Sequence, residues 1–309
     1  MYYKSMPNQT VHFTPESNGG GSMLEAIQLA GIFINYGALC IVHSRQEDPF
    51  TIKDINRGTI YNDPLIILQN SFSASASELF AATMQDHNRA IIAGTNSFGK
   101  STGQEILPID AYKYNRFTNI NGTSKGYLKL TRSKFYRVNG KSHQKEGIIP
   151  DIKLPDIYDD IDVGERFYES ALDPSTIEKK TYYFPCDSLP IKELRAGSEQ
   201  RVNNDSAFIY IKKMSKSFSE MQKQYSIPLK YESFKEYYNS SSFINEDGKS
   251  FQEEKTIFLV KNPGYMEGIS SITDSKMEIN DNAMKQIQKD VYIKEAYNVI
   301  NDLIDLTIK

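Results

Sequence analysis

Short apolar runs separated by polar connections dominate the first half of the chain. The runs GALCIVH (37–43), PLIILQ (64–69) and RAIIAG (89–94) each have the length and flanking turn residues of a buried strand. The segment ASELFAATMQD (76–86) between the last two has helical spacing. Strand, helix and strand within about 30 residues form a βαβ unit, which predicts an α/β fold with a partly parallel sheet.

The glycine-rich stretch near the beginning leads into another predicted helix. Ser22 stands three residues before Glu25, the spacing of a capping box, and MLEAIQLAGIFI follows with helical periodicity. Residues 1–17 have no usable periodicity and are predicted to be an irregular leader. Residues 44–63 are polar and predict a long connection.

The second half of the chain differs from the first in amino-acid composition and in its predicted secondary structure. Residues 156–309 are richer in Lys, Ser, Asn and Tyr, and the strongest helical patterns lie at 207–225 and 291–306. We therefore expect a core over residues 18–155 and a mainly helical domain over 156–309. Two other polar stretches are predicted loops: 239–256 and 262–282.

Composition narrows the class of protein. The chain has 309 residues, of which 39% are hydrophobic and 24% charged, with a net charge of −3 and both signs interspersed. This balance is typical of a globular protein and gives no sign of a nucleic-acid or anionic-membrane partner. No apolar run approaches the roughly 18–20 residues of a transmembrane helix, and no signal peptide is recognisable. Cys40 and Cys186 are the only cysteines, Cys40 is predicted to be a buried free thiol, and neither a disulfide nor a metal site is supported.

Residues 94–101 match the phosphate-binding pattern G-x-x-x-x-G-K-[ST], from Gly94 to Ser101, and they follow a predicted buried strand. A true P-loop opens a helix whose N-terminal amides hold the phosphates. Here Gly103 and Pro108 follow Lys100 closely, and no amphipathic stripe begins there. Nucleotide binding is therefore a lesser alternative.

Ser75 invites two interpretations. It stands three residues before Glu78 at the start of the predicted helix 76–86, so it could simply cap that helix. A serine at a strand-to-helix turn is also a good position for a nucleophile, because the free helix amides can stabilise an oxyanion. Lys100 lies one strand further on, where a βαβ unit can bring it back to the helix start as a general base.

The stretch FSASASELFAATMQDHNRAIIAGTNSFGKSTGQ (72–104) resembles the C-terminal-processing, or tail-specific, serine peptidases. The resemblance implies a ClpP/crotonase-like α/β peptidase core with a mixed sheet and packed helices, followed by a mainly α-helical C-terminal domain. Further blocks that agree with the family are NGGGS (18–22), KFYRVNG-x-S-x-Q (134–144), GIIPDIKLP (147–155) and the helical patterns at 160–172 and 290–303.

The family's catalytic residues map onto this chain one at a time. The resemblance implies that Ser75 is the nucleophile, Lys100 the general base, and Gln104 a residue that helps to position the lysine. Asp86 matches an acidic residue of the larger members. A structural role at the end of its helix is an equally open interpretation of Asp86.

The implied oxyanion donors are the backbone amides of Gly21 and Ala76. Two departures from the family pattern are visible: VHFTPES precedes the glycines where an apolar strand is expected, and Ser101 follows Lys100 where most relatives have glycine.

The resemblance implies an endopeptidase that cleaves protein substrates in or near their C-terminal region and needs no cofactor. Protein or peptide substrates with accessible C-termini are the implied partners, and the bacterial periplasm or cell envelope is the implied location. It also implies that this chain is the C-terminal part of a larger enzyme, whose N-terminal part supplies a PDZ or adaptor region. A catalytically inactive fragment of such a protease is the alternative.

Overall fold

The protein is described by a computed structural model, and the residues that the structure describes are 2–4, 10–13, 17–110, 125–178, 181–223, 227–238, 258–262, 264 and 274–307. The predicted loop at 239–256 lies outside the described residues, and the predicted loop at 262–282 lies partly outside them.

A five-stranded, mostly parallel sheet forms the centre of the molecule. Its strands, in spatial order, are β1 (Tyr2–Lys4), β2 (Thr10–Phe13), β5 (Leu65–Gln69), β6 (Ile91–Gly94) and β9 (Ile152–Lys153). Strands β2, β5, β6 and β9 run parallel, and β1 is antiparallel to β2. The predicted βαβ unit is confirmed, because β5 and β6 pair in parallel and a helix over Ala76–Asp86 connects them.

A second, antiparallel sheet lies beside the first. Its strands, in spatial order, are β4 (Phe50–Asp54), β3 (Gly37–Ser44), β8 (Tyr127–Tyr136) and β7 (Thr102–Pro108). The α/β fold with a mixed set of strands is therefore confirmed.

Helices of the described chain cover both faces of the parallel sheet: α1 (Met23–Ala30) and α2 (Ala76–Asp86) on one face, and α3 (Ile191–Asn204), α4 (Ser206–Gln222) and α7 (Val291–Thr307) on the other. Two further helices are α5 (231–238) and α6 (Asp274–Lys289). In β5, Leu65 and Ile67 pack among α1, α2 and β3, whereas Ile66 and Leu68 pack among α3, α4 and α7. A strand buried on both faces reads as a continuous apolar run, which is why β5 was visible in the sequence.

The C-terminal helices complete the burial of the sheet. Leu194 of α3, Phe208 of α4 and Ile300 of α7 join one apolar cluster with Ile91 of β6 and Ile152 of β9. One apolar layer therefore contains residues from both predicted domains, 18–155 and 156–309.

Three regions differ from the sequence-based expectations. The prediction of an irregular leader over residues 1–17 was wrong for β1 and β2, and the long connection at 44–63 contains β4. Helix α6 overlaps the predicted loop at 262–282. Strand β2 pairs with β5 through Val11 and Leu65, about 50 residues apart, and β4 lies at a sheet edge, so local patterns carry little signal for either.

Within the described part of the chain, no helix combines the length and the apolar character needed to cross a lipid bilayer.

We expect Leu194→Ala to destabilise the protein by about 2–5 kcal/mol, because it removes a fully buried side chain from the layer between the sheet and the C-terminal helices. Urea unfolding followed by circular dichroism measures the change. The matched control is Ile209→Ala in α4, since Ile209 is 52% exposed and its loss should change the free energy of unfolding by no more than about 0.5 kcal/mol. Equal effects of the two substitutions would contradict the described packing of α3.

Candidate active site

Ser75 occupies a sharp turn between β5 and α2. Its φ of 60° and ψ of −115° lie outside the region that an ordinary N-cap residue adopts. A non-glycine residue held in such a conformation costs about 1–3 kcal/mol, so the surrounding structure must enforce it. Ser75 is the N-cap of α2, as the capping interpretation expects, but capping alone does not require this backbone strain.

The glycine-rich loop packs directly against the Ser75 turn. Gly20 has a φ of +93°, and a Cβ atom there would lie 2.6 Å from Ala74 O and 2.8 Å from Ala76 N. Only glycine permits this approach. The amide of Ala74 also donates to Asn18 O at 3.0 Å, which joins the loop to the turn a second time.

Gly21 and Ala76 line the cavity beside Ser75, and neither backbone amide has a hydrogen-bond partner among the described residues. Ala76 opens α2, where the helix amides have no intrahelical partners. The two predicted oxyanion donors are therefore adjacent to the predicted nucleophile.

The side chain of Lys100 is held by two acceptors. Its Nζ donates to Thr102 O at 2.9 Å and to Gln104 Oε1 at 2.8 Å. The side-chain Nε2 of Gln104 donates to Thr102 Oγ1 at 3.0 Å, and this bond orients the side-chain Oε1 of Gln104 towards the lysine. The predicted proximity of Gln104 to Lys100 is thus observed.

Burial lowers the pKa of the half-buried Lys100 amine. Among the charged groups, Glu165 raises this pKa, Lys129 lowers it, and Glu78 raises it. A lowered pKa is the direction that a lysine general base requires.

Glu78 is a buried carboxylate that connects the Ser75 turn to the Lys100 loop. Its Oε2 accepts from Ser75 N at 2.7 Å and from Lys100 N at 2.8 Å. Its Oε1 accepts from Ser97 Oγ and from Gly99 N, both at 2.6 Å. Burial raises the pKa of Glu78, and the four donors act in the opposite direction.

Ser75 and Lys100 open onto the same cavity, which has a volume of about 730 Å³. Within the described residues no hydrogen bond joins their side chains, and the two bonds of Lys100 Nζ go to Thr102 and Gln104. Apolar side chains that line the cavity include those of Met23, Val42, Phe50, Leu79, Ile106 and Phe135.

Asp86 is not among the residues that line this cavity. It lies at the end of α2, where Arg137 donates to both of its carboxylate oxygens at 2.6 to 3.1 Å. The Asp86 side chain is 7% exposed and that of Arg137 is 21% exposed. This geometry is that of a structural ion pair, while a catalytic role of Asp86 stays a prediction.

The phosphate-binding pattern at 94–101 does not form a P-loop. The residues after Lys100 form strand β7, whereas a P-loop continues into a helix. Ser101, whose hydroxyl would contact magnesium in a P-loop, is fully buried and shares a hydrogen bond of 2.7 Å with Ser142 Oγ. The P-loop on which the nucleotide-binding alternative rested is therefore not formed by these residues.

Sequence reasoning missed part of the site. Glu78 was visible only as the partner of Ser75 in a capping-box spacing, and its bonds to residues 97–100 depend on long-range packing. Thr102 binds Lys100 through its backbone carbonyl, so the residue type at this position does not reveal the contact. Glu165 lies in the predicted C-terminal domain, 156–309, in which the sequence indicated no candidate site residue.

Two family models match the chain in succession. Residues 16–154 match Peptidase family S41, and residues 158–305 match the C-terminal domain of tail specific protease. The chain therefore belongs to peptidase family S41 and carries the C-terminal domain of the tail-specific proteases.

Relatives with curated names agree with this assignment. The tail-specific protease of Haemophilus influenzae is 38% identical over 165 residues, which are 53% of this chain and 23% of the relative. The carboxy-terminal-processing protease of Bartonella bacilliformis is 36% identical over 151 residues, which are 47% of this chain and 32% of the relative. This chain thus spans only about a quarter to a third of the length of these relatives.

One solved structure to which the chain is similar is the photosystem II D1 C-terminal processing protease. It is 25% identical and has a TM-score of 0.39, and the match covers 47% of this chain and 34% of that chain.

We expect Glu78→Gln to destabilise the protein by at least about 1–3 kcal/mol. An amide has one acceptor oxygen in place of two, so buried donors of the Ser75 turn or the Lys100 loop lose their partner. Urea unfolding measures the change. Glu25→Gln, at an exposed position of α1, is the control and should be nearly neutral. A Glu78→Gln variant as stable as this control would show that the four bonds are dispensable.

A double-mutant cycle tests the ion pair of Asp86 and Arg137. We expect Asp86→Asn and Arg137→Ala each to destabilise by about 3–5 kcal/mol, because each leaves a buried polar partner behind. The double variant should be much less destabilised than the sum of the two. Strictly additive effects in urea unfolding would contradict a structural pair.

Proposed function

We propose that this chain is a serine peptidase core in which Ser75 is the nucleophile and Lys100 the general base. The observation that carries the proposal is the strained Ser75 turn at a helix start, which opens onto a cavity that the half-buried Lys100 also lines. Serine needs a base to become a nucleophile, and a lysine whose pKa is lowered by burial can supply one.

The bonds of Lys100 suit a neutral amine. A neutral amine has two N–H groups and one lone pair, whereas an ammonium has three N–H groups. Thr102 O and Gln104 Oε1 accept two N–H bonds, so in the neutral form the lone pair remains available for a proton. The same two acceptors fix the direction in which that lone pair points.

The reaction follows from this arrangement. The Ser75 oxygen attacks the peptide carbonyl carbon while its proton passes to Lys100 Nζ, and the carbonyl oxygen becomes an oxyanion. The amides of Gly21 and Ala76 donate to that oxyanion. Lys100 gives the proton to the leaving amine as the C–N bond breaks. It then takes a proton from the water that attacks the acyl-enzyme and passes it to the Ser75 oxygen as the acyl C–O bond breaks.

The substrates we propose are polypeptides cleaved in or near their C-terminal region. This follows the names of the relatives, which are tail-specific and carboxy-terminal-processing proteases. The apolar wall formed by Val42, Leu79 and Phe135 fits an apolar substrate side chain beside the reacting carbonyl. Both relatives are bacterial, and we propose the periplasm or cell envelope as the place of action.

One observation favours the alternative of a chain that is inactive by itself. Lys100 Nζ is bound to Thr102 and Gln104, and no hydrogen bond within the described part of the chain links it to Ser75. Catalytic hydrogen bonds are often completed only when substrate is bound, so activity measurements must separate the two possibilities.

We expect Lys100→Arg to lower kcat by about 10²–10⁴-fold, because a guanidinium keeps its proton at working pH and cannot act as a base. The assay is hydrolysis of an unstructured polypeptide with an apolar C-terminus, with the products identified by mass spectrometry. Ser75→Ala should abolish hydrolysis. Lys192→Arg, at an exposed position of α3, is the matched control and should retain the parent rate.

The outcomes of these assays test the roles of Lys100 and Ser75 and distinguish an active chain from an inactive one. Substantial turnover by Lys100→Arg would refute the role of Lys100 as base, and turnover by Ser75→Ala would refute Ser75 as nucleophile. Absence of turnover by the parent chain itself would establish the inactive alternative.

A further inference from the structure

A short segment from the C-terminal half of the chain lies against the loop that carries Lys100. The amide of Glu165 donates to Phe98 O at 2.8 Å. Gly164 beside it has a φ of +126°, and a Cβ atom there would lie 3.0 Å from the same carbonyl oxygen. The segment therefore approaches the loop as closely as the backbone permits.

The side chain of Glu165 reaches the loop through one intermediary. Gln144 donates its side-chain N–H to Glu165 Oε1 at 3.1 Å and accepts from Ser101 N at 2.8 Å. Gln144 is completely buried, so its side-chain amide depends on these partners for its orientation. Glu165 as acceptor and Ser101 as donor together determine which end of Gln144 faces the amide that follows Lys100.

The peptide units on either side of Lys100 are consequently held from two directions. Glu78 of α2 binds the amide of Lys100, and the pair of Glu165 and Gln144 binds the amide of Ser101. The first support comes from the residues of the nucleophile helix. The second support originates after residue 156, in the predicted C-terminal domain.

Charged side chains also influence the Lys100 amine. The charged groups that influence Lys100 are Glu165, Lys129 of β8 and Glu78 of α2, and Glu165 has the largest influence of the three. Its negative charge favours the ammonium form of Lys100 and raises the pKa of the amine, against the larger effect of burial. Lys129 acts in the opposite direction to the two carboxylates.

We propose that Glu165 is a positioning residue for Lys100, which holds the backbone after the lysine through Gln144. We also expect its negative charge to favour the protonated amine. The proposal rests on the proposed function, in which Lys100 is the general base. If so, the C-terminal half of the chain contributes to the environment of the base, and the Glu165 side chain does this through Gln144.

Two substitutions separate the geometric and the electrostatic contribution. Glu165→Gln keeps an acceptor for Gln144 and removes the charge, whereas Glu165→Ala removes both. Glu169→Gln is the matched control, because Glu169 is an exposed acid four residues further along the same segment. It removes the same charge from a position outside the hydrogen-bonded chain.

The first measurement is the titration of Lys100 itself. Competitive acetylation with acetic anhydride over a series of pH values, followed by peptide mass spectrometry, reports the pKa of this amine without any need for turnover. We expect a lower Lys100 pKa in Glu165→Gln than in the parent, and the parent value in Glu169→Gln. A Lys100 pKa in Glu165→Gln equal to that of the control would overturn the electrostatic part.

The second measurement is the pH profile of kcat/KM on the polypeptide substrate. Because Lys100 must be neutral to act, a lower pKa should move the acid limb of the Glu165→Gln profile towards lower pH. Glu165→Ala should lose about 10²-fold in kcat, the cost of displacing a catalytic group by about 1 Å, and Glu165→Gln should restore most of that loss. Equal kcat values for Glu165→Ala and Glu165→Gln would overturn the geometric part.

The two measurements also keep this inference apart from the proposed function. If the parent chain does not hydrolyse the substrate while Glu165→Gln still lowers the Lys100 pKa, the proposed function fails and the link between Glu165 and Lys100 stands. If the parent is active and neither the pKa nor the pH profile responds, the link fails and the proposed function stands.

Discussion

The candidate site depends on one buried carboxylate. Glu78 is completely buried and accepts four hydrogen bonds, from the amides of Ser75, Gly99 and Lys100 and from the hydroxyl of Ser97. A carboxylate removed from water is tolerated only when its oxygens are satisfied, so the two chain segments that supply these donors are constrained to meet at this point. The separation of the candidate nucleophile from the candidate base is set there.

The layered packing provides the rigidity that this arrangement requires. The parallel sheet is covered on one face by α1 and α2 and on the other by helices of the C-terminal half. The turn after β5 and the loop after β6 both leave the same buried sheet, so neither can move far without disturbing its core. A site built on such elements is held more precisely than one on free loops.

Features that depend on local pattern were predictable, and features that depend on long-range pairing were not. Helix α2 was predicted with its exact bounds because Ser75 and Glu78 have capping-box spacing and an apolar periodicity follows. The pairing of β2 with β5 was invisible, since it joins residues far apart in sequence. The contact between Asp86 and Arg137 could not be predicted for the same reason, because the two residues are 51 positions apart in the sequence.

Helix α2 is fastened at both ends. Ser75 begins it and Asp86, held by Arg137, ends it, and 11 helical residues form a rod of about 16 Å. A stiff rod transmits a displacement from one end to the other. A change at Arg137 would therefore act on the end of α2 opposite to Ser75, and the helix would carry it to the Ser75 turn.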